Sequence, residues 1–387
     1  MFKLVSLILS SENVIPYLKQ QQVCPLDSQL AQPVVPEEYK NFNLIVRLTD
    51  GTNYIVKQER FNGKGEATGC LKYEWLINLL WANFAQLNPI QKSVSQPVHF
   101  DDENKILVLN YFPEYLPLSD FYQDNHDYPL AIAEALGTNL GQIHRLTFAK
   151  SEYQKFLAQY TSKRSAGETP NFLRGLARVG PGIFGNICSD SIEFFKLYQK
   201  FPSLHQAVVN LHQDYQAICI THNDLRFSNY LINQSGNSKS LKLIDWEFFE
   251  WGDPALDLGT AIAKYLELWL DSLYIDSDTD FSVALSLATC PLEKIQPSLK
   301  AFIQSYLSQF AQILIIKPNY LQQATQFAGL SLIKHLQQNA EYHQPFDNRA
   351  ICTMQVAKSL LCYPEQSIVS VFGSELTELT PDNAVAV

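Results

Sequence analysis

Ile220-Thr221-His222-Asn223-Asp224-Leu225-Arg226-Phe227-Ser228-Asn229, followed later by Leu243-Ile244-Asp245-Trp246-Glu247, is the part of the sequence that decides the fold. It combines a His-x-Asp-x4-Asn pattern with a second Asp further along the chain. The neighbouring runs 217–220, 230–233 and 241–244 are short, apolar and rich in β-branched residues, which predicts buried strands. Residues 234–238 have the composition of a hairpin turn. The predicted hairpin carries Asn229 and Asp245 to one end, with Asp224 in the loop beside them.

These three side chains all offer oxygen atoms. Mg²⁺ prefers oxygen ligands and needs few protein groups, and phosphoryl transfer requires a carboxylate that orients the nucleophile beside such ions. The alternative roles are structural: Asp224 would stabilise a turn, and Asn229 would cap a strand end. For Asp245 a structural role is harder to sustain. It follows a buried strand directly, and a buried carboxylate without a partner is costly.

The segment resembles the catalytic and metal-binding loops of the aminoglycoside phosphotransferase and choline kinase family of small-molecule kinases. Its continuation, Gly252-Asp253-Pro254-Ala255-Leu256-Asp257-Leu258, resembles the next characteristic block of that family. The resemblance covers residues 40–345 and is specific at 221–260. It implies an α+β fold of the two-lobed protein-kinase type, with a small β-rich N-lobe and a larger, mainly helical C-lobe.

By this resemblance, Asp224 is the catalytic residue that accepts or orients the hydroxyl proton of the acceptor. Asn229 and Asp245 are then the ligands of Mg²⁺. Asp257 resembles a position that braces the catalytic loop, and His222 is expected to organise that loop rather than to transfer protons. Asp253 is expected to cap the helix that starts at Pro254.

The N-terminal part of the sequence has the pattern of a small nucleotide-binding lobe. A hairpin is predicted over 43–57, with Asp50-Gly51 as a type I′ turn, and a helix over 72–87. Two further strands are predicted at 97–100 and 106–111. Lys57 resembles the kinase lysine that pairs the α- and β-phosphates, and Glu74 is its preferred partner, with Glu66 as the alternative. We expect one domain at 1–113 and a second at 114–387.

Two features of this part concern the nucleotide. Residues 110–114, which begin with Asn110, follow the strand Ile106-Leu107-Val108-Leu109 and are expected to present backbone groups to an adenine ring. Tyr111 and Phe112 are expected to stack near that ring, although aromatic residues at strand ends more often pack in the core. Segment 35–43, which should cover the phosphates, contains no glycine, and this weakens backbone approach to phosphate. Three residues of that segment are alternative donors: Lys40, Asn41 and Asn43.

The composition limits the classes of partner. The chain has 387 residues with 46% hydrophobic and 18% charged residues, as in an ordinary globular protein. Its net charge of −10 disfavours nucleic acid and anionic membranes as partners, and weakly favours a cationic substrate. Seven scattered cysteines without a Cys-x-x-Cys pair predict a reducing, cytoplasmic location. Helices are predicted over 128–147, 191–216, 254–274, 295–316, 318–340 and 348–362.

The sequence therefore predicts an ATP-dependent phosphotransferase, with GTP as the alternative donor, that acts on a hydroxyl of a small molecule in the presence of Mg²⁺. A choline or ethanolamine kinase is one alternative, because the aromatic residues Trp246, Phe248, Phe249 and Trp251 are the kind that cage quaternary ammonium ions. Core packing is the more common role of such residues. A catalytically silent, nucleotide-binding pseudokinase is a second alternative, and a kinase of proteins is a third.

Overall fold

The computed structural model describes residues 7–38, 41–62, 67, 69–125, 127–177, 189–233, 241–275, 283, 286–341 and 345–379. The predictions that concern Lys40, Glu66 and the turn at 234–238 lie outside these residues. Across the described ranges, no helix combines the length and apolar character needed to cross a lipid bilayer.

The chain divides into two compact units. One contains residues 1–118 and 229–249, and the other contains residues 119–228 and 250–387. The first unit is built around two antiparallel sheets, whereas the second is mainly helical. The predicted α+β fold with a β-rich part and a larger helical part is confirmed. The domain boundary after residue 113 stays a prediction.

The larger sheet of the first unit is antiparallel, with strand order β1-β2-β3-β5-β4. Its strands are β1 (Val35–Glu38), β2 (Phe42–Arg47), β3 (Asn53–Gln58), β4 (Pro97–Asp101) and β5 (Ile106–Asn110). Asp50 and Gly51 turn the chain between β2 and β3 as predicted, but the type I′ assignment is wrong. That turn needs two residues with positive φ, and of the pair only Gly51 has one, at 89°. The N–H of Gly51 instead donates to the carbonyl of Leu48 at 3.1 Å.

Three helices accompany this sheet: α1 (Val14–Gln20), α2 (Leu71–Asn83) and α3 (Asn88–Gln91). Helix α2 is shorter than predicted because the backbone becomes extended at Phe84, with φ −117° and ψ 109°. Its buried face includes Glu74, which is fully buried together with apolar neighbours such as Leu80. A buried glutamate requires a partner. We therefore expect a charged group beside Glu74 inside this unit.

The second sheet of the first unit has the order β6-β8-β9. Its strands are β6 (Tyr115–Pro117), β8 (Tyr230–Asn233) and β9 (Leu241–Leu243). Strands β8 and β9 pair antiparallel, with Tyr230 opposite Leu243. Because Asn229 precedes β8 and Asp245 follows β9, both residues lie at the same end of this strand pair, as the sequence predicted.

The second unit contains one pair of short strands, β7 (Cys219–Thr221) and β10 (Glu250–Gly252), and most of the helices. Its helices are α4 (Leu118–Asn125, which begins at the boundary), α5 (Leu130–Thr147), α6 (Ser151–Ala158), α7 (Ser162–Ser165), α8 (Asn171–Ala177), α9 (Ser189–Gln199), α10 (Pro202–Gln213), α11 (Pro254–Asp271), α12 (Leu292–Phe310), α13 (Gln312–Ile316), α14 (Tyr320–Glu341), α15 (Asn348–Cys362), α16 (Pro364–Phe372) and α17 (Leu376–Leu379). The helix predicted over 191–216 is in fact two helices, because Pro202 starts a new one. Asp253 caps α11 as predicted, and its Oδ1 accepts the N–H of Ala255 at 3.0 Å.

Helices α5 and α12 approach each other closely at two glycines of α5. A Cβ atom at Gly141 would lie 2.6 Å from the carbonyl oxygen of Tyr306, and Gly137 meets the backbone of α12 in the same way. Only residues without a side chain permit this distance. The close contact brings the side chain of Tyr306 to that of His144, one turn after Gly141 on α5.

Candidate active site

Lys57, Glu74 and Asp245 form a charged cluster in the first unit. The Nζ atom of Lys57, on β3, lies 3.0 Å from Oε2 of Glu74 and 3.0 Å from Oδ1 of Asp245. The Glu74 side chain is fully buried, whereas that of Asp245 is 31% exposed. Burial disfavours the charged lysine, but Asp245 and Glu74 outweigh it and raise the pKa of Lys57. Lys57 therefore carries a positive charge at neutral pH.

Asp245 has an unusual backbone conformation. Its φ of 66° and ψ of 54° lie in the left-handed region, which few non-glycine residues adopt. The following 3₁₀ turn, Trp246–Phe248, is anchored by the fully buried Trp246, whose Nε1 donates to the carbonyl of Leu243 at 3.0 Å. The same ring packs edge-on against Trp81, with 5.5 Å between centroids. Tertiary packing thus holds Asp245 in a costly conformation, as is typical of functional residues.

Asn229 and Asp245 have a donor set that fits Mg²⁺. Asn229 is buried, and its carbonyl accepts the N–H of Ile244, the residue before Asp245, at 2.9 Å. A carboxylate and a carboxamide are oxygen donors, and Mg²⁺ takes few of these while it keeps several waters. The described residues contain no group of three or more His, Cys, Asp or Glu that could hold a metal ion. Such a group is not required for Mg²⁺.

The described residues of the glycine-free segment 35–43 include β1 and the start of β2. Asn41 and Asn43 are both buried, with 8% and 6% of their surface exposed. Asn43 stands directly opposite Lys57 in the β2–β3 register, so the two side chains share one face of the sheet. In the described part of the chain, Oδ1 of Asn43 has no hydrogen-bond partner. Burial of a polar atom without a hydrogen-bond partner is destabilising. Here the side chain of Asn43 lies on the same face of the sheet as that of Lys57.

The predicted adenine-binding residues have partners within the first unit. The backbone N–H groups of Asn110 and Tyr111 each donate to a carbonyl of a neighbouring segment at 2.9 Å. Arg47 lies 5.3 Å from the ring centroid of Tyr111, and Lys242 lies 4.2 Å from that of Phe112. Both are cation–π distances. These two backbone N–H groups are therefore already paired, and the adenine contact stays a prediction.

Asp224 lies in the second unit, on the loop after β7. Its Oδ1 accepts a hydrogen bond from Nε of Arg226 at 3.0 Å, and its side chain is 15% exposed. The backbone N–H of Asp224 donates to Nδ1 of the fully buried His222 at 3.3 Å. Because Nδ1 accepts from the backbone, the geometry agrees with the loop-organising role predicted for His222.

Asp257 holds this loop from the first turn of α11. Its carboxylate accepts the backbone N–H of His222 at 2.6 Å and that of Asn223 at 2.9 Å. Asn223 has a left-handed φ of 64°, so the loop needs such support. The bracing position predicted for Asp257 is confirmed by these contacts.

A buried chain of hydrogen bonds extends from Asp257 to two tyrosines. Nε2 of His144 lies 3.3 Å from Oδ2 of Asp257, and its Nδ1 lies 2.9 Å from the hydroxyl of Tyr306. The hydroxyls of Tyr306 and Tyr320 are 2.6 Å apart. Burial raises the pKa of both tyrosines well above the ordinary value, so both keep their protons. Sequence reasoning missed this chain, and its one signal was a polar His144 on the small-residue face of α5.

A pocket lies beside Asp224 in the second unit. Its walls are the loop 223–226, parts of α11 and α14, and Phe172 on α8. Sequence reasoning did not identify the α11 and α14 residues of this pocket, because helical periodicity shows which face is polar but not what that face meets.

Comparisons with known proteins identify a family and structures that resemble this chain. The model of a family described as "Phosphotransferase enzyme family" matches residues 35–282. An ethanolamine kinase of Plasmodium vivax is similar in structure, with a TM-score of 0.54 and 14% identity over 95% of this chain and 91% of that one. A macrolide 2'-phosphotransferase of Brachybacterium faecium gives a TM-score of 0.46 and 13% identity over 91% and 99%. A choline kinase of Streptococcus pneumoniae gives 0.42 and 16% over 90% and 99%. A search of curated proteins finds no match.

Proposed function

Because the chain belongs to the phosphotransferase enzyme family, we propose that it transfers the γ-phosphate of ATP to a hydroxyl group of a small molecule. GTP is the alternative donor. The observation that carries the proposal is the placement of Asp224, whose carboxylate lines a pocket and lies on a braced loop. That loop lies inside the segment that the family model matches.

Asp224 is the proposed catalytic residue. A loose phosphoryl transition state asks little covalent chemistry of the protein, so the main task of the carboxylate is to orient the hydroxyl and accept its proton. Arg226 binds Oδ1 and thereby fixes the rotation of the carboxylate. Asp257 acts one step away, as a positioning residue, through the backbone of His222 and Asn223.

The first unit carries the proposed nucleotide-binding residues. Lys57 is proposed to contact the phosphates, with Glu74 fixing its direction, and Asn43 to add an amide contact on the same face. Asn229 and Asp245 would hold Mg²⁺, which neutralises phosphate charge when it is bound. Residues 110–112 (Asn110, Tyr111, Phe112) are proposed to lie against the adenine.

Two alternatives receive less support. Three of the four aromatic residues that could cage a choline are buried: Trp246 and Phe249 are 0% exposed and Trp251 is 4% exposed. They are core residues and leave little ring surface for a quaternary ammonium ion. A pseudokinase would have no need for the retained set of Lys57, Asp224 and a strained Asp245.

We also propose that the reaction takes place in the cytoplasm, with a small molecule as the partner. The support is chemical: the described cysteines are free thiols, which suits a reducing compartment. The weak expectation of a cationic substrate rested on the net charge of the whole chain. The charged side chains that line the pocket itself are mainly cationic.

The test is nucleotide turnover by the Asp224→Ala variant. ADP release in the presence of a panel of hydroxyl compounds should fall by about 10²- to 10⁴-fold, the usual contribution of a positioned general base. Nucleotide affinity, measured by calorimetry with Mg²⁺, should stay at the wild-type value. Asp214→Ala, which removes an exposed carboxylate of the same unit, is the matched control. ADP release that survives in Asp224→Ala at the control level would refute the proposed mechanism.

A further inference from the structure

The pocket beside Asp224 is lined mainly by positive charge. Three cationic side chains reach it: Arg226 from the loop, Lys264 from α11 and Lys334 from α14. Among the described residues that line it, Asp224 supplies the one carboxylate. A site that binds a cationic ligand would be lined by more carboxylates than cationic side chains, because cationic side chains in a partly desolvated pocket repel such a ligand.

Two of the three cations are already compensated. Arg226 donates to Asp224 at 3.0 Å, and Lys264 contacts both carboxylate oxygens of Glu267, at 2.6 and 2.7 Å. The Lys264–Glu267 pair is largely buried, with side chains 17% and 13% exposed. These two cations are therefore held in place by the protein itself.

Lys334 is different. Within the described part of the chain, no carboxylate lies within 4.0 Å of its Nζ atom; its recorded contact is the ring of Phe172, with 4.9 Å to the centroid. The side chain is half-buried in the pocket wall. Burial lowers the pKa of Lys334, Asp224 opposes this, and Arg226 and Lys264 lower the pKa further. An anionic group in the pocket would stabilise the charged lysine and remove this cost.

We infer that the acceptor carries an anionic group, a carboxylate or a phosphate, in addition to the hydroxyl that receives the new phosphate. This inference rests on the proposed function and names its substrate class. Lys334 would bind the anion through a charge-assisted hydrogen bond. Ser331 and Gln338 lie on the same face of α14 at helical spacing and supply uncharged donors.

The local charge thus outweighs the global charge as evidence about the substrate. A net charge of −10 describes the whole surface, whereas recognition depends on the groups that line the pocket. A polycationic aminoglycoside or choline would meet three cationic side chains beside Asp224. A hydroxy acid or a phosphorylated alcohol would meet Lys334.

Ligand binding tests this inference without turnover. Calorimetry on the full chain would compare glycerate, glycerol 3-phosphate, glycerol and choline as probes. The two anions should bind at least about tenfold more tightly than glycerol, and choline should bind more weakly than either anion. Glycerate and glycerol 3-phosphate separate the two sources of negative charge, because the tighter ligand identifies whether carboxylate or phosphate is preferred.

Variants of Lys334 locate the binding. Lys334→Met keeps an apolar chain against Phe172 and should weaken anion binding by about 10- to 100-fold, the contribution of a hydrogen bond to a charged group. Lys334→Arg should retain binding within a few-fold. Lys358→Met is the matched control, because Lys358 also lies over a phenylalanine, 4.2 Å from the ring centroid of Phe201, outside this pocket.

Several results would overturn the inference. One is that choline or glycerol binds as tightly as the anions in the wild-type protein, a comparison that needs no variant. Another is that anion affinity is equal in Lys334→Met and Lys358→Met. ADP release with cationic acceptors alone would refute the substrate class and leave the phosphotransferase proposal intact. Anion binding that depends on Lys334, without ADP release for any acceptor, would refute the proposed function and support the anion site.

Discussion

Replacement of Asp257 by asparagine should loosen the loop that carries Asp224. The carboxylate of Asp257 accepts two backbone N–H groups, those of His222 and Asn223, at 2.6 and 2.9 Å. An asparagine side chain has one acceptor oxygen, and its NH₂ group can only donate. One of the two backbone N–H groups therefore loses its partner and faces another donor.

The cost follows from these two bonds. A buried N–H left without a partner costs about 1–3 kcal/mol, and the remaining bond loses its charge assistance, about 1 kcal/mol more. The sum, about 2–4 kcal/mol, is below the usual stability of a domain, about 5–15 kcal/mol. Asp257→Asn should therefore remain folded, with its second unit measurably weakened.

Amide hydrogen exchange is the direct assay. Peptides that cover residues 219–226 should lose protection by about 30-fold or more in Asp257→Asn, because the free energy of local opening falls by about 2–4 kcal/mol. The rate constant of turnover should fall with it, since the carboxylate of Asp224 is no longer fixed. Glu134→Gln, an exposed carboxyl on α5, is the control and should stay within about 0.5 kcal/mol of wild type. Wild-type protection at His222 and Asn223 in Asp257→Asn would show that the brace has been misassigned.

Three further predictions concern other parts of the molecule. Glu74→Gln removes a buried ion-pair partner 3.0 Å from Lys57 and should raise the KM for ATP by about tenfold or more in an ADP-release assay; an unchanged KM would contradict the role given to the lysine. Asn43→Ala should weaken ADP binding several-fold in calorimetry. An affinity equal to that of the wild type would show that Asn43 does not contribute to nucleotide binding. Gly141→Ala places a Cβ atom 2.6 Å from a carbonyl oxygen of α12 and should lower the free energy of unfolding by about 1–3 kcal/mol. Gly175→Ala on α8 is its control, since a Cβ there has nothing within 4 Å, and equal effects in denaturant titrations would argue against the close helix contact.

The parts of the molecule that local patterns encode were predictable. Asn229 and Asp245 flank a pair of neighbouring strands, so their common end follows from hairpin geometry. Lys57 and Glu74 lie on consecutive elements, a strand and the next helix, and strand and helix periodicity places them inside the same unit. These relations depend on residues close in sequence, where pattern and turn composition carry most of the information.

The parts that depend on packing between distant segments were not predictable. His144 and Tyr306 meet because glycines let α5 and α12 approach, which no periodicity reveals in advance. Lys334 comes to the pocket of Asp224 from a helix more than a hundred residues further along the chain. The cationic substrate expected from net charge stays a prediction, and the anionic acceptor that we propose departs from it, because total charge does not report which charges meet at one site.

We propose that Asp224 directs a phosphate from ATP to a small hydroxyl compound. The most direct measurement uses ATP labelled in the γ-phosphate, a panel of hydroxyl compounds graded by charge, and mass spectrometry of the products. We predict label in a compound that also carries a carboxylate or phosphate, with Asp214→Ala equal to wild type and Asp224→Ala inactive. Label that appears in free phosphate alone, or in the same product with Asp224→Ala, would contradict this role of Asp224.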